Sequence, residues 1–281
     1  MTKDNQRRQA DAFRQKHLAP PLVLLPNAWD AMSARVFEAA GFDSIATTSG
    51  GVAWALGFSD GEKAPWNEVV AATERIARTV RVPVTADIEG GYGETPDKVA
   101  SSVAEIIRAG VVGINLEDST PHAHAPMRTI DDAVDRIRAA RDAAAAAGVP
   151  IVINARVDLY LKQIGEDETR FADTVRRGKA YIAAGADCIF PFGLTDFKVI
   201  TELVAALRVP VNIVGRSGGP SVSQLEKLGV ARISTASGPS LVIMSLIRLI
   251  SDELRANGEF DLLESQIKRA DAQQLFATKP R

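Results

Sequence analysis

The stretch RAGVVGINLED at 108–118 decides the fold, because it joins the end of a helix to a buried strand in eleven residues. Gly110 follows a helical run and stops it, since glycine takes the left-handed conformation without a Cβ penalty. The residues after it are short, β-branched and almost continuously apolar, as in parallel strands covered on both faces. The same joint recurs as AAGFDSIATT (39–48), AAGVPIVINAR (146–156), AAGADCIFPF (183–192) and KLGVARISTA (227–236). Two further joints, VRVPVTAD (80–87) and LRVPVNIV (207–214), use proline, which cannot continue a helix. Together with LVLL at 22–25 they predict eight strands, at 22–25, 44–48, 82–87, 112–117, 150–155, 187–191, 210–215 and 231–236. Helices are expected between them at 30–40, 66–79, 96–109, 130–147, 168–184, 195–206 and 221–228. Strict alternation with eight strands reads as an α/β chain of the (β/α)8 TIM-type barrel class. A doubly wound open sheet is the alternative, weakened because no GxGxxG turn follows the first strand.

Working outward, the chain has 281 residues, 46% of them apolar and 24% charged, enough for one large core. We expect a single barrel domain over 1–281 that carries a C-terminal helical extension at 239–281. That extension reads as a long apolar helix, 239–256, and a shorter polar one, 260–276. Eight of the ten residues in LVIMSLIRLI (241–250) are apolar, more than one core-facing stripe needs. Either the barrel covers this helix well or a second subunit does. The formal net charge of -2 argues against nucleic acid or an anionic membrane as partner. One cysteine, a polar N-terminus and no membrane-length apolar run suit a cytoplasmic protein.

In such a barrel the chemistry stands at the C-terminal strand ends. Those ends supply Ser49, Gly50 and Gly51 with Asp60 beyond, then Asp87 and Glu89, then Asn115, Glu117 and Asp118. Next come Asn154, Arg156 and Asp158, and finally Asn212 and Arg216. Bunched carboxylates repel unless a cation neutralises them, and hard oxygens suit Mg²⁺ or Mn²⁺. Asp87 and Glu89, two apart on a strand, are read as functional; Asp118 and Asp158 are read as structural. Arg156 can grip a carboxylate through two N–H groups. The amides around Ser49–Gly51 can hold an oxyanion. A Schiff-base mechanism is disfavoured, because none of the ten lysines falls in an expected strand. Cys188, in mid-strand, is read as buried and inert.

The stretches TTSGGVAWALGFSDGE (47–62), VTADIEGGYG (84–93), GINLEDS (113–119) and INARVDLYL (153–161) resemble the isocitrate lyase/phosphoenolpyruvate mutase superfamily. The layout agrees from PNAWDA (26–31) to the strand at 231–236. The resemblance implies a Mg²⁺-dependent barrel enzyme, with Mn²⁺ as a substitute, acting on a small carboxylate through an enolpyruvate-like intermediate. It implies Asp87 as metal ligand, with Asp60, Glu89 and Glu117 acting directly or through water. Ser49, Gly50 and Gly51 would cradle the substrate, Arg156 would clamp it and Asn212 would contribute. It also implies a homodimer or homotetramer in which C-terminal helices are exchanged. The departure lies in the loop after the fourth strand, where lyases of this family carry a catalytic cysteine. Here it reads STPHAHAPMR (119–128), so His122 and His124 become the candidate proton donors. The expected function is C–C bond cleavage, decarboxylation included, in a small 2-oxo or 2-hydroxy carboxylate. P–C bond mutation or hydrolysis on a phosphonopyruvate-like substrate is the alternative, disfavoured because only Arg128 and Arg216 stand near the mouth. A non-catalytic binding or regulatory protein on the same scaffold is the third reading.

Overall fold

The computed structural model describes residues 1–120, 125–256 and 258–277. Its first half runs α1 (Lys3–Lys16), β1 (Val23–Leu25), β2 (Asn27–Ala28), α2 (Ala31–Ala39), β3 (Ile45–Thr47), α3 (Ser49–Leu56) and α4 (Trp66–Thr79). Then follow β4 (Val84–Asp87), α5 (Pro96–Arg108), β5 (Gly113–Glu117), α6 (Ile130–Ala147) and β6 (Val152–Val157). After α7 (Asp167–Ala183) come β7 (Cys188–Pro191), α8 (Phe197–Leu207), β8 (Asn212–Val214), α9 (Val222–Lys227) and β9 (Arg232–Ser234). The chain closes with α10 (Gly238–Ala256), a 3₁₀ turn (Asp261–Leu263) and α11 (Arg269–Ala277).

All strand pairs are parallel, in the orders β2-β3-β4-β5-β6-β7 and β1-β9-β8. The two sheets meet twice. A parallel bridge between Ile189 and Val211 joins β7 to the start of β8. On the other side β1 and β2 are one strand interrupted at Pro26, which has no N–H to give a ladder. Leu25 before it pairs with Ser234 of β9, and Asn27 after it pairs with Ala46 of β3. Counting β1 and β2 as one, eight strands among the described residues form the ring of a (β/α)8 barrel.

The five glycines of the recurring joint, Gly41, Gly110, Gly148, Gly185 and Gly229, all have positive φ, as a left-handed helix stop requires. The strands they introduce are buried except at Glu117 and Arg156, with Ile114, Ile153 and Ile189 at zero exposure. Helix α1 was not expected from the polar N-terminus. It caps the N-terminal end of the barrel: Phe13 lies fully buried against Gly113 at the start of β5, and Gln6 Nε2 donates to the carbonyls of Ile107 and Val111. The expected helix at 260–276 is corrected to the 3₁₀ turn and α11, since residues 264–268 lack helical hydrogen bonding. Among the described residues, no helix is long and apolar enough to cross a membrane. Only Ser240 of α10 is buried, so the barrel does not cover this helix.

Candidate active site

Asp87 ends β4, where its backbone N–H donates to Thr47 Oγ1 of β3 at 2.9 Å. Its Oδ1 accepts the N–H of Glu89 at 3.1 Å. Glu89 lies past the strand with φ +51°, so its approach to Asp87 comes from a tight left-handed turn and not from strand alternation. That corrects the expected reason for their pairing. Glu89 Oε2 accepts the N–H of Glu62 at 2.7 Å, and Oε1 accepts the hydroxyl of Tyr92 at 2.9 Å. Glu62 and Tyr92 also have positive φ, so three non-glycine residues hold a disfavoured backbone within one small region. Gly90 fits between them because a Cβ there would lie 3.1 Å from Glu62 Oε1 and 3.2 Å from Arg128 Nη2.

The electrostatics follow from burial and like charge. Burial pushes Glu89 up to about 8, and the neighbouring carboxylates of Asp60, Asp87 and Glu117 push it the same way. Burial raises Asp87 too, and Arg156 opposes it. Glu117 rises to about 7 through burial, opposed by Arg156 and by the Ser119 hydroxyl, which donates to its Oε1 at 2.5 Å. Asp60 is exposed; its Oδ2 would lie 3.2 Å from a Cβ on Gly50, so the missing side chain leaves it room. Four carboxylates therefore act on one another at the mouth. Among the described residues, no three His, Cys, Asp or Glu side chains close into a ready ligand cage. The donors are all oxygen, and such ligands suit a hard ion that keeps several of its own waters, as Mg²⁺ does.

Ser49, Gly50 and Gly51, expected at a strand end, form the first turn of α3. Thr48, its N-cap, makes no side-chain cap, so the first amides of the turn are left to other acceptors. Arg156 is more committed than expected. Its Nε and Nη2 fork onto Asp158 at 2.6 and 2.9 Å, its Nη1 reaches Glu117 at 2.9 Å, and its plane lies 4.0 Å over the ring of Phe192. A substrate would share this guanidinium with two carboxylates. Asn212 opens β8 and does not end it; it is fully buried and bonds Ser234 Oγ at 3.2 Å. His122 and His124 lie outside the described residues.

A cavity of about 130 Å³ at the mouth is lined by Glu62, Glu89, Glu117, Ser119, Arg128 and Lys162, among others. Sequence reasoning missed Lys162 because it follows its strand by five residues; it also missed Tyr92 and Ser119. Arg216, two residues past the end of β8, lines an apolar groove along α10. Asp118 and Cys188 are as expected. Asp118 is buried against Arg177 and Tyr181, and burial pushes the Cys188 thiol up to about 12.

The phosphoenolpyruvate phosphomutase family model matches residues 13–255, so this chain belongs to that family, within the isocitrate lyase/phosphoenolpyruvate mutase superfamily. An uncharacterized protein of Mycobacterium tuberculosis (strain ATCC 25618 / H37Rv) is 38% identical over 224 residues, 79% of this chain and 80% of its own. The oxaloacetate decarboxylase of Ectopseudomonas mendocina (strain ymp) is 32% identical over 78% of this chain and 75% of its own. The crystal structure of 2,3-dimethylmalate lyase superposes with a TM-score of 0.83 at 27% identity, covering 95% of this chain and 94% of that one.

Proposed function

We propose that this protein is a Mg²⁺-dependent lyase that cleaves a C–C bond, decarboxylation included, in a small 2-oxo or 2-hydroxy carboxylate. The carrying observation is the cluster of buried, mutually repelling carboxylates around Asp87 at the barrel mouth. Asp87 would hold the ion, with Asp60, Glu89 and Glu117 acting directly or through water; Mn²⁺ suits the same oxygens. When bound, the ion supplies positive charge to an oxygen that becomes negative during cleavage. The amides of Ser49, Gly50 and Gly51 would hold the substrate carboxylate at the start of α3, and Arg156 would orient it. His122 or His124 would deliver the proton, since neither the cysteine nor the lysine of family gates is present in 119–128.

The relatives support this reading, one being a decarboxylase and one a lyase by name. P–C bond chemistry has one observation in its favour: Lys162 joins Arg128 around the mouth cavity, giving an added anionic group two cations. Turnover of oxaloacetate, 2-methylisocitrate, substituted malates and phosphonopyruvate, with and without Mg²⁺, separates the readings. Asp87→Ala should remove metal-dependent turnover by roughly 10³-fold or more while the fold persists. Unchanged Mg²⁺ affinity of that variant in calorimetry would end the ligand assignment.

The assembly proposed is a homodimer or homotetramer in which α10 is covered by another copy. Val242, Ile247 and Leu249 are 66, 58 and 56% exposed, and a large groove beside them is lined by Trp29, Phe37 and Phe192. Exposed apolar side chains beside an apolar groove support an interface there. Light scattering at micromolar concentration should give at least a dimer, and Ile247→Asp should shift it toward monomer. A wild-type monomer would overturn the assembly.

A further inference from the structure

Arg232 is the bulkiest fully buried side chain among the described residues. It stands at the start of β9 and crosses the barrel interior to β5, where its Nη2 donates to Asn115 Oδ1 at 3.1 Å. Among the described residues it forms no ion pair, and neither its Nε nor its Nη1 has a hydrogen-bond partner. Burying an unpaired cation is costly, and an apolar side chain of similar volume would pack there more cheaply. The residue therefore needs a reason beyond packing.

The reason lies in the groups it touches. Asn115 Oδ1 also accepts from Asn154 Nδ2 at 2.8 Å. Asn115 is paired with Asp87 in the β4–β5 ladder, and with its oxygen taken by Asn154 and Arg232 its NH₂ end is the one left to favour the charge of that carboxyl. A carboxamide can present either end, because it donates from nitrogen and accepts at oxygen. Asn154 shares that freedom, since its own Oδ1 has no partner. The two amides alone would have two self-consistent arrangements. In the second, both are turned over: Asn154 Oδ1 accepts from Asn115, and Asn115 presents its oxygen to Asp87, which a protonated carboxyl can satisfy and a carboxylate opposes. A guanidinium has donors only, so it accepts one arrangement and rejects the other.

We infer that Arg232 is a positioning residue: it locks Asn115 with oxygen toward Arg232 and NH₂ toward Asp87, and so holds the Asp87 carboxylate in one orientation for a divalent cation. This rests on the reading of Asp87 as the metal-holding residue. The side chain touches no substrate; its charge also reaches Asp87 directly, but losing a cation near that carboxylate would strengthen binding of a metal ion, the opposite of what loss of the Asn115 lock predicts.

The test is Mn²⁺ binding by the protein alone, followed by electron paramagnetic resonance of the free ion, for wild type, Arg232→Lys, Arg232→Met and Arg232→Gln. Lysine is also donor-only and should keep affinity near wild type. Methionine and glutamine permit both arrangements and should weaken Mn²⁺ binding by roughly tenfold, the scale of one hydrogen bond to a charged group. Arg232→Met should melt no lower than wild type, because it removes a buried charge. Equal affinity in all four proteins would overturn the inference, as would loss of Mn²⁺ affinity only in step with melting temperature. Neutron diffraction on the wild type needs no variant to fold: deuterons on Asn115 should face Asp87, and the reverse orientation would overturn the lock. Failure of the wild type to bind Mn²⁺ would overturn the metal reading itself, while the neutron result would still decide the amide orientation.

Discussion

Asp118 and Glu89 stand just past the ends of the adjacent strands β5 and β4, both buried, in opposite surroundings. Burial raises both acids, Asp118 to about 6 and Glu89 to about 8. Around Asp118 most of what remains favours the charge. Arg177 Nη1 donates to it at 3.0 Å, the Tyr181 hydroxyl at 2.7 Å and the N–H of Asp158 at 3.0 Å. Around Glu89 the Tyr92 hydroxyl and the Glu62 N–H donate to the carboxylate, but no cation pairs with it among the described residues, and Asp60, Asp87 and Glu117 all disfavour its charge. One carboxylate is completed by its own chain and holds the architecture together. The other is left with more negative charge than the chain neutralises, and that surplus marks the site.

The largest expected effect tests the completed carboxylate. Asp118→Ala leaves Arg177, Tyr181 and an inward backbone N–H without their acceptor. Removing one partner of a buried pair costs about 3–5 kcal/mol. Denaturant unfolding of Asp118→Ala should show a loss of that order, whereas Glu89→Gln should lose little. A loss below about 1 kcal/mol for Asp118→Ala would break the contrast.

Part of this contrast is written in the sequence. In GINLEDS, period-two alternation sends Glu117 inward and Asp118 outward, and the structure follows it: Glu117 meets Arg156 inside, and Asp118 meets α7 outside. The glycine joints were equally legible, because a left-handed helix stop has a local cause. What was illegible depends on contacts remote in sequence. Arg232 acts on Asn115 across 117 residues, and nothing in KLGVARISTA announces an arginine that crosses a barrel. Helix α1 hides in a polar segment because only Gln6, Ala10 and Phe13 are buried. Glu89 was assigned to the right neighbours for a wrong reason, since a left-handed residue after the strand did what alternation was expected to do.

The smallest expected effect concerns the pH dependence of the metal-free protein and sharpens the contrast at Glu89. Its acidity is raised from 4.5 to about 8, so the folded chain holds a proton that the unfolded chain releases between those values. A raised folded value gives stability that is complete below pH 4.5 and lost as pH climbs through 8. Glu117, raised to about 7, and Asp118, raised to about 6, have the same sign but finish titrating earlier. Asp87 is raised as well, so it is the difference between wild type and Glu89→Gln that isolates the Glu89 share, with a ceiling of about 1.4 kcal/mol per pH unit for one proton. Glutamine copies the neutral form of the side chain and cannot ionise. With a chelator present, Glu89→Gln and wild type should unfold alike near pH 5. Above pH 7 the variant should keep stability that the wild type loses. Parallel decline of the two proteins through pH 8.5 would mean that Glu89 is already neutralised by its own chain, as Asp118 is, and the distinction between the two carboxylates would fall.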